Sequence, residues 1–130
     1  MTMRRILLIA VVAVAAFGLV GCSTQARAER KGKAAGDEIC HAKNANNAND
    51  AQRHLNRANN KLNDLTRFTG HDVKQDINDL DRNLGQLSNG HGTNQDIEAI
   101  VSSVESARKT AVGNAAAAYD GLLEALANCD

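Results

Sequence analysis

The sequence predicts an all-α domain, because three of its features favour helices over strands. Proline, the strongest helix breaker, is absent, and aromatic residues, which strands favour, make up 2% of the chain. From Ile39 onward, apolar residues recur every three or four positions. We therefore expect a small three-helix domain over residues 37–130, built as a long antiparallel helical hairpin with a shorter middle helix.

The first predicted helix runs from Ile39 to Phe68 and has one narrow apolar stripe. Its opposite face is rich in asparagine, which competes for backbone hydrogen bonds, so we expect the helix to fray or kink over residues 44–50. The stripe consists of Ala48, Ala51, Leu55, Ala58, Leu62 and Leu65.

Two glycine-containing turns, at 69–72 and 89–93, separate the remaining helices. The middle helix, from Val73 to Leu87, keeps an exact four-three spacing of aliphatic residues. A third helix follows from about residue 94 to Cys129 as one continuous stripe. Gly113 and Gly121 weaken that helix by about 1 kcal/mol each relative to alanine, but do not end it.

The N-terminal 22 residues have the pattern of an export signal. The positive pair Arg4-Arg5 precedes the apolar run Ile6–Val20, which is short for a membrane-spanning helix. The run ends in Leu19-Val20-Gly21-Cys22, which resembles the lipobox of bacterial lipoproteins. The resemblance implies that signal peptidase II removes residues 1–21 and that Cys22 carries a diacylglyceryl group, with further acylation, such as palmitate, on its amine. An uncleaved anchor or an ordinary secretory signal are the alternatives.

Residues 22–36 are predicted to be a lipidated N-terminus followed by a flexible tether. Two roles are open for the tether: a solvated spacer, or contact with anionic lipid headgroups, where each basic residue contributes about 1 kcal/mol. The residues expected to make the headgroup contact are Arg27, Arg30, Lys31 and Lys33.

The two remaining cysteines, Cys40 and Cys129, are expected to form a disulfide, since an exported domain lies in an oxidising compartment. An intermolecular bridge and two free thiols are the alternatives. An intramolecular bridge would pair the first helix antiparallel with the last, placing Ala51 opposite Ala118. The turns 69–72 and 88–94 would then lie together at the end of the domain far from the lipid, as the surface for a partner.

Composition and motifs argue against several classes of function. Removing residues 1–21 takes Arg4 and Arg5 from the 15 basic residues and leaves 13 against 15 acidic ones, so the mature charge of about −2 argues against nucleic-acid binding. No nucleophile motif or phosphate-binding loop is present, and the histidines lack short metal-ligand spacing. We therefore expect no catalytic residue, metal or cofactor.

The expected function is that of a helical binding module, anchored by its lipid to a membrane of the bacterial cell envelope, on the exported side. Its expected partners are the membrane and another envelope protein. The alternative is a structural or stress-related envelope spacer that self-associates. An exposed apolar strip on the folded domain would favour the binding module, whereas concentration-dependent association would favour the spacer.

Overall fold

The computed structural model describes residues 22–129, which fold into six helices. Residues 1–21, with the predicted signal peptide, and residue 130 lie outside the described residues. The helices are α1 (Cys22–Lys43), α2 (Ala48–Thr69), α3 (Val73–Asp76), α4 (Leu80–Gly85), α5 (Asn94–Thr110) and α6 (Gly113–Ala127). No strand occurs between residues 22 and 129, which confirms the all-α prediction.

Helix α1 replaces the flexible tether, so the prediction of a tether over residues 22–36 is wrong. Ala28, Ala35 and Ile39 are completely buried, and Gly32 and Gly36 are buried between them. These small residues lie three or four positions apart and extend the apolar stripe of the domain towards the N-terminus. The packed domain therefore extends towards the N-terminus at least as far as Ala28.

Helices α1 and α6 run parallel and in close contact. Gly32 faces Ala118, and Gly36, one turn further along α1, faces Leu122 and Ala125, which lie one and two turns further along α6. A Cβ atom on Gly32 would collide with the carbonyl oxygen of Ala118, and one on Gly121 would collide with the carbonyl oxygen of Glu29. The two backbones can approach this closely only because glycine occupies both sides of the contact.

The disulfide between Cys40 and Cys129 joins the C-terminal ends of these parallel helices, with a Cα–Cα distance of 5.2 Å. The predicted disulfide is confirmed, and it is intramolecular. In the loop-entropy account, closing a loop of 89 residues stabilises the fold by about 4–5 kcal/mol. The predicted antiparallel pairing is wrong, because the helix that carries Cys40 ends three residues later instead of beginning there.

Helix α2 folds back antiparallel along α1. His54 contacts Glu38, and Asp64, ten residues later, contacts Lys31, which lies seven residues earlier. The kink expected over residues 44–50 is a complete reversal of the chain, in which the side chain of Asn47 caps α2. The predicted contact of Ala51 with Ala118 is wrong, because α2 packs along α1 and touches α6 only slightly.

The last two predicted helices are each broken in two. The middle helix divides into α3 and α4, with Asp79 between them in the left-handed region at φ 60°. The final helix is interrupted at Ala111 and Val112, and Gly113 adopts φ 61° where α6 begins. The predicted apolar stripe of the middle helix is nevertheless buried throughout, at Val73, Ile77, Leu80, Leu84 and Leu87.

The bundle has two ends, which we call the N-terminal pole and the disulfide pole. The N-terminal pole contains the start of α1, the turn at 70–72 and the link at 111–112 between α5 and α6. The disulfide pole contains the bridge, the turn at 44–47 and the loop at 88–93, whose Gly90 packs on Asn47 and whose Gly92 packs on Lys43. The two turns predicted to share the end far from the lipid therefore lie at opposite poles.

Candidate functional site

A cluster of one carboxylate and two imidazoles, which we call the His–Glu cluster, lies towards the disulfide pole. Glu38 and His41 lie three residues apart near the end of α1, and His54 comes from α2. His54 Nδ1 lies 2.8 Å from Glu38 Oε1, and His41 Nδ1 lies 3.8 Å from the same oxygen. The two imidazole ring centroids are 5.0 Å apart. One carboxylate oxygen is therefore approached by two histidines.

The cluster is enclosed on one side and open on the other. The side chains of Glu38 and His54 are 15% and 21% exposed, whereas that of His41 is 59% exposed. The antiparallel packing of α1 and α2 brings His54 over the last turns of α1. Solvent ions can therefore reach the group past His41.

The three residues offer ligand atoms that lie within 4.8 Å of one another. Within residues 22–129, this is the one group of three or more His, Cys, Asp and Glu side chains with such spacing. The sequence alone does not indicate this cluster, because one ligand comes from a second helix, 13 residues beyond His41. The one local signal was the Glu38-x-x-His41 spacing, which places two ligands on one helix face.

The four basic residues predicted to contact headgroups do not form one patch. Lys31 Nζ lies 2.8 Å from Asp64 Oδ2 on α2, and this hydrogen bond lowers the pKa of Asp64. Lys33 Nζ lies 3.6 Å from a carboxylate oxygen of Glu124 on α6. Consecutive basic residues of the sequence therefore face different helices.

The other two basic residues lie nearer the N-terminal pole. The guanidinium carbon of Arg27 lies 5.6 Å from the centroid of the Phe68 ring. Arg30 is exposed and has no ion pair within the part of the chain that the structure describes. The exposed Lys109 of α5 lies at this pole, as does Val112, which is 75% exposed. This pole thus combines exposed positive charge with an exposed aliphatic side chain.

Two partly buried polar contacts hold α5 and α3 against α6. Arg108 donates to Asp120 through Nε at 2.8 Å and Nη2 at 3.2 Å, and the Asp120 side chain is 2% exposed. Tyr119 Oη donates to Asp76 Oδ2 at 3.3 Å. Burial, and next the Asp76 carboxylate, raise the pKa of Tyr119, so its phenol remains a hydrogen-bond donor at neutral pH. Both contacts are structural.

A third polar group, Glu29, is partly buried in the contact between α1 and α6. Burial raises its pKa, and the nearby carboxylates of Glu124 and Asp120 raise it further, while Lys33 opposes them. A negative charge at Glu29 is therefore unfavourable in the folded protein.

Comparisons with protein-family models, with curated proteins and with solved structures found no match for this chain. None of the helices between residues 22 and 129 is both long enough and apolar enough to cross a membrane.

Proposed function

We propose that this protein is a lipoprotein of the bacterial cell envelope, anchored by acyl groups on Cys22 to the exported face of a membrane, and that it binds another envelope protein. The lipobox Leu19-Val20-Gly21-Cys22 supports the anchor. A lipid with two or three acyl chains gives stable attachment without a membrane-spanning helix.

The observation that carries the proposal further is the position of Cys22 in α1. Because α1 is continuous from Cys22 to Lys43, no flexible segment separates the acylated residue from the packed domain. The rise of an α-helix places Cys40 about 27 Å from Cys22 along the axis. An anchor at Cys22 would therefore hold the N-terminal pole against the membrane and direct the disulfide pole away from it.

The side chains at the N-terminal pole suit this orientation. Arg30 and Lys109 can meet anionic headgroups, which attract basic residues close to a bilayer surface. Val112 can enter the interfacial region, since its side chain is 75% exposed and makes little contact with the domain. Of the four basic residues first expected to meet headgroups, Arg27 and Arg30 fit this role best.

The disulfide pole is the surface we propose for the protein partner. Its turn at 44–47 and its loop at 88–93 are held together by the packing of Gly90 on Asn47 and of Gly92 on Lys43. The bridge fixes the ends of α1 and α6 beside them. Loops presented by a rigid scaffold are common recognition surfaces because little conformational entropy is lost on binding.

Photo-cross-linking in the native envelope tests this surface. A photoreactive amino acid would replace Asn46 or His91 at the disulfide pole, with the exposed Asn60 on α2 as the matched control position. We expect Asn46 and His91, the two positions at the disulfide pole, to give the same heterologous adduct, identified by mass spectrometry. Asn60 should give none. Adducts of equal yield from all three positions, or none, would refute the assignment. An adduct of twice the subunit mass would instead support the self-associating spacer.

Metabolic labelling with an alkyne fatty acid tests the anchor separately. The wild-type protein and a Cys40→Ser variant should carry the label, whereas Cys22→Ala should not, because only the lipobox cysteine is a substrate for lipid transfer. Label retained by the Cys22→Ala protein would show that the anchor assignment is wrong.

A further inference from the structure

We propose that the His–Glu cluster is a binding site for a transition-metal dication of the zinc type, with Glu38, His41 and His54 as its protein ligands. The inference rests on the geometry of the folded domain and does not depend on lipidation or on the proposed partner. The ligand atoms would be Glu38 Oε1 and one ring nitrogen from each histidine, and water would complete the coordination.

The distances suit a small metal ion. Zinc binds imidazole nitrogen and carboxylate oxygen at about 2.0–2.2 Å, so two ligand atoms of a tetrahedral site lie roughly 3.4 Å apart. The two measured separations from Glu38 Oε1, 2.8 Å to His54 Nδ1 and 3.8 Å to His41 Nδ1, lie on either side of that value. A metal ion could therefore be held after small side-chain adjustments, with both helix backbones unchanged.

The ligand types narrow the class of metal. Calcium and magnesium prefer sites made entirely of oxygen, whereas two imidazoles with one carboxylate are typical of zinc, copper and nickel. A coordinating imidazole must offer an unprotonated ring nitrogen, so the metal ion and protons compete for these two ligands.

The fold holds the ligands in place. Glu38 and His41 lie on either side of Cys40 in the sequence, and the bridge from Cys40 to Cys129 fixes this part of α1 against the end of α6. Leu55, next to His54, is buried and fixes α2 against the same core. The exposed ring of His41 leaves one side open, where the ion can enter and retain water.

Titration calorimetry with zinc chloride on the full-length protein in detergent micelles tests the site. We expect one zinc per chain for the wild type and a loss of affinity of at least about tenfold in His54→Ala, His41→Ala and Glu38→Gln. The matched control is the double variant His71→Ala/His91→Ala, which removes both histidines outside the cluster and should bind like the wild type. Magnesium should give no heat of binding at the same concentrations.

Two further measurements distinguish the loss of a metal-ligating side chain from unfolding of the variant. His41 is mostly exposed, so His41→Ala should keep the wild-type circular dichroism and thermal midpoint without metal. Electron paramagnetic resonance of the copper-loaded protein should show coupling to two nitrogens in the wild type and to one in His41→Ala. Zinc affinity unchanged in His41→Ala and His54→Ala, or lost in the His71/His91 double variant, would overturn the proposal. So would copper coupled to fewer than two nitrogens in the wild type.

Discussion

Replacing Gly32 by alanine tests the close contact between α1 and α6. The new methyl group would collide with the carbonyl oxygen of Ala118, which is backbone and cannot rotate away. Overpacking typically costs about 1–3 kcal/mol, and a rigid neighbour places this change near 3 kcal/mol. The better helix propensity of alanine offsets about 1 kcal/mol of that cost. We therefore expect the free energy of unfolding to fall by about 2 kcal/mol.

Gly85→Ala is the matched control, because Gly85 is also helical but no atom outside its own stretch of helix lies within 4 Å of the position of a Cβ. The control should gain about 0.5–1 kcal/mol from propensity alone. Thermal unfolding followed by circular dichroism should show Gly32→Ala melting about 10 °C below the wild type and Gly85→Ala melting a few degrees above it. If Gly32→Ala were as stable as Gly85→Ala, the proposed contact at Ala118 would be refuted.

Two further substitutions, at Arg108 and Glu29, test the buried and partly buried charges. Arg108→Ala should lower the free energy of unfolding by up to about 3 kcal/mol, because it leaves Asp120 buried without its partner. The control Arg82→Ala, which breaks an exposed ion pair, should change this free energy by less than about 1 kcal/mol. Glu29→Gln should raise the melting temperature at pH 7. The raised pKa of Glu29 favours the folded wild type at low pH, and this advantage is lost as the pH rises. The difference in melting temperature between Glu29→Gln and the wild type should therefore vanish below about pH 4. A difference of constant size from pH 4 to 7 would contradict this reasoning.

The apolar periodicity predicted the buried faces of α2 to α5 well, but not where the helices break. Leu55, Leu62, Ile77, Leu84 and Ile100 all lie in predicted stripes, and all are buried. The breaks at 77–79 and 111–112 were missed because the spacing of buried residues continues across them. A stripe records which side chains meet the core, not whether the backbone hydrogen bonds between successive turns are kept.

Helix α1 was missed for a different reason. Its buried face is made largely of Ala28, Gly32, Ala35 and Gly36, which bury little apolar area, so its pattern resembles a polar linker. Such a face packs through close backbone approach and many short dispersion contacts instead. The stabilisation from these contacts depends on a complementary stripe on the partner helix, which here contains Gly121. The sequence does not indicate which two stripes will meet.

The parallel arrangement of α1 and α6 followed from neither periodicity nor the cysteine pair. A bridge from Cys40 to Cys129 fits an antiparallel hairpin if Cys40 begins a helix, and a parallel pair if Cys40 ends one. The boundary at Lys43 decides between these two topologies. If residues 22–36 are a tether, Cys40 begins the first helix, and this predicts the antiparallel topology. The same step hid the His–Glu cluster, because Glu38 and His41 then stood at the start of the predicted helix 39–68, with His54 13 residues further along that same helix.

The disulfide and the proposed anchor lie at opposite ends of α1 and therefore constrain different motions. The bridge joins the C-terminal ends of α1 and α6, where no other covalent link holds the two helices together. The glycine contacts at Gly32 and Gly121 lie closer to the N-terminal pole than the bridge does, and they involve neither cysteine, so we expect them to remain when the bridge is reduced. Reduction should therefore loosen the disulfide pole first, with the loops proposed to bind a partner and the His–Glu cluster, while the N-terminal pole stays packed. The oxidation state of one bond would then affect the proposed recognition and metal binding without releasing the proposed lipid anchor.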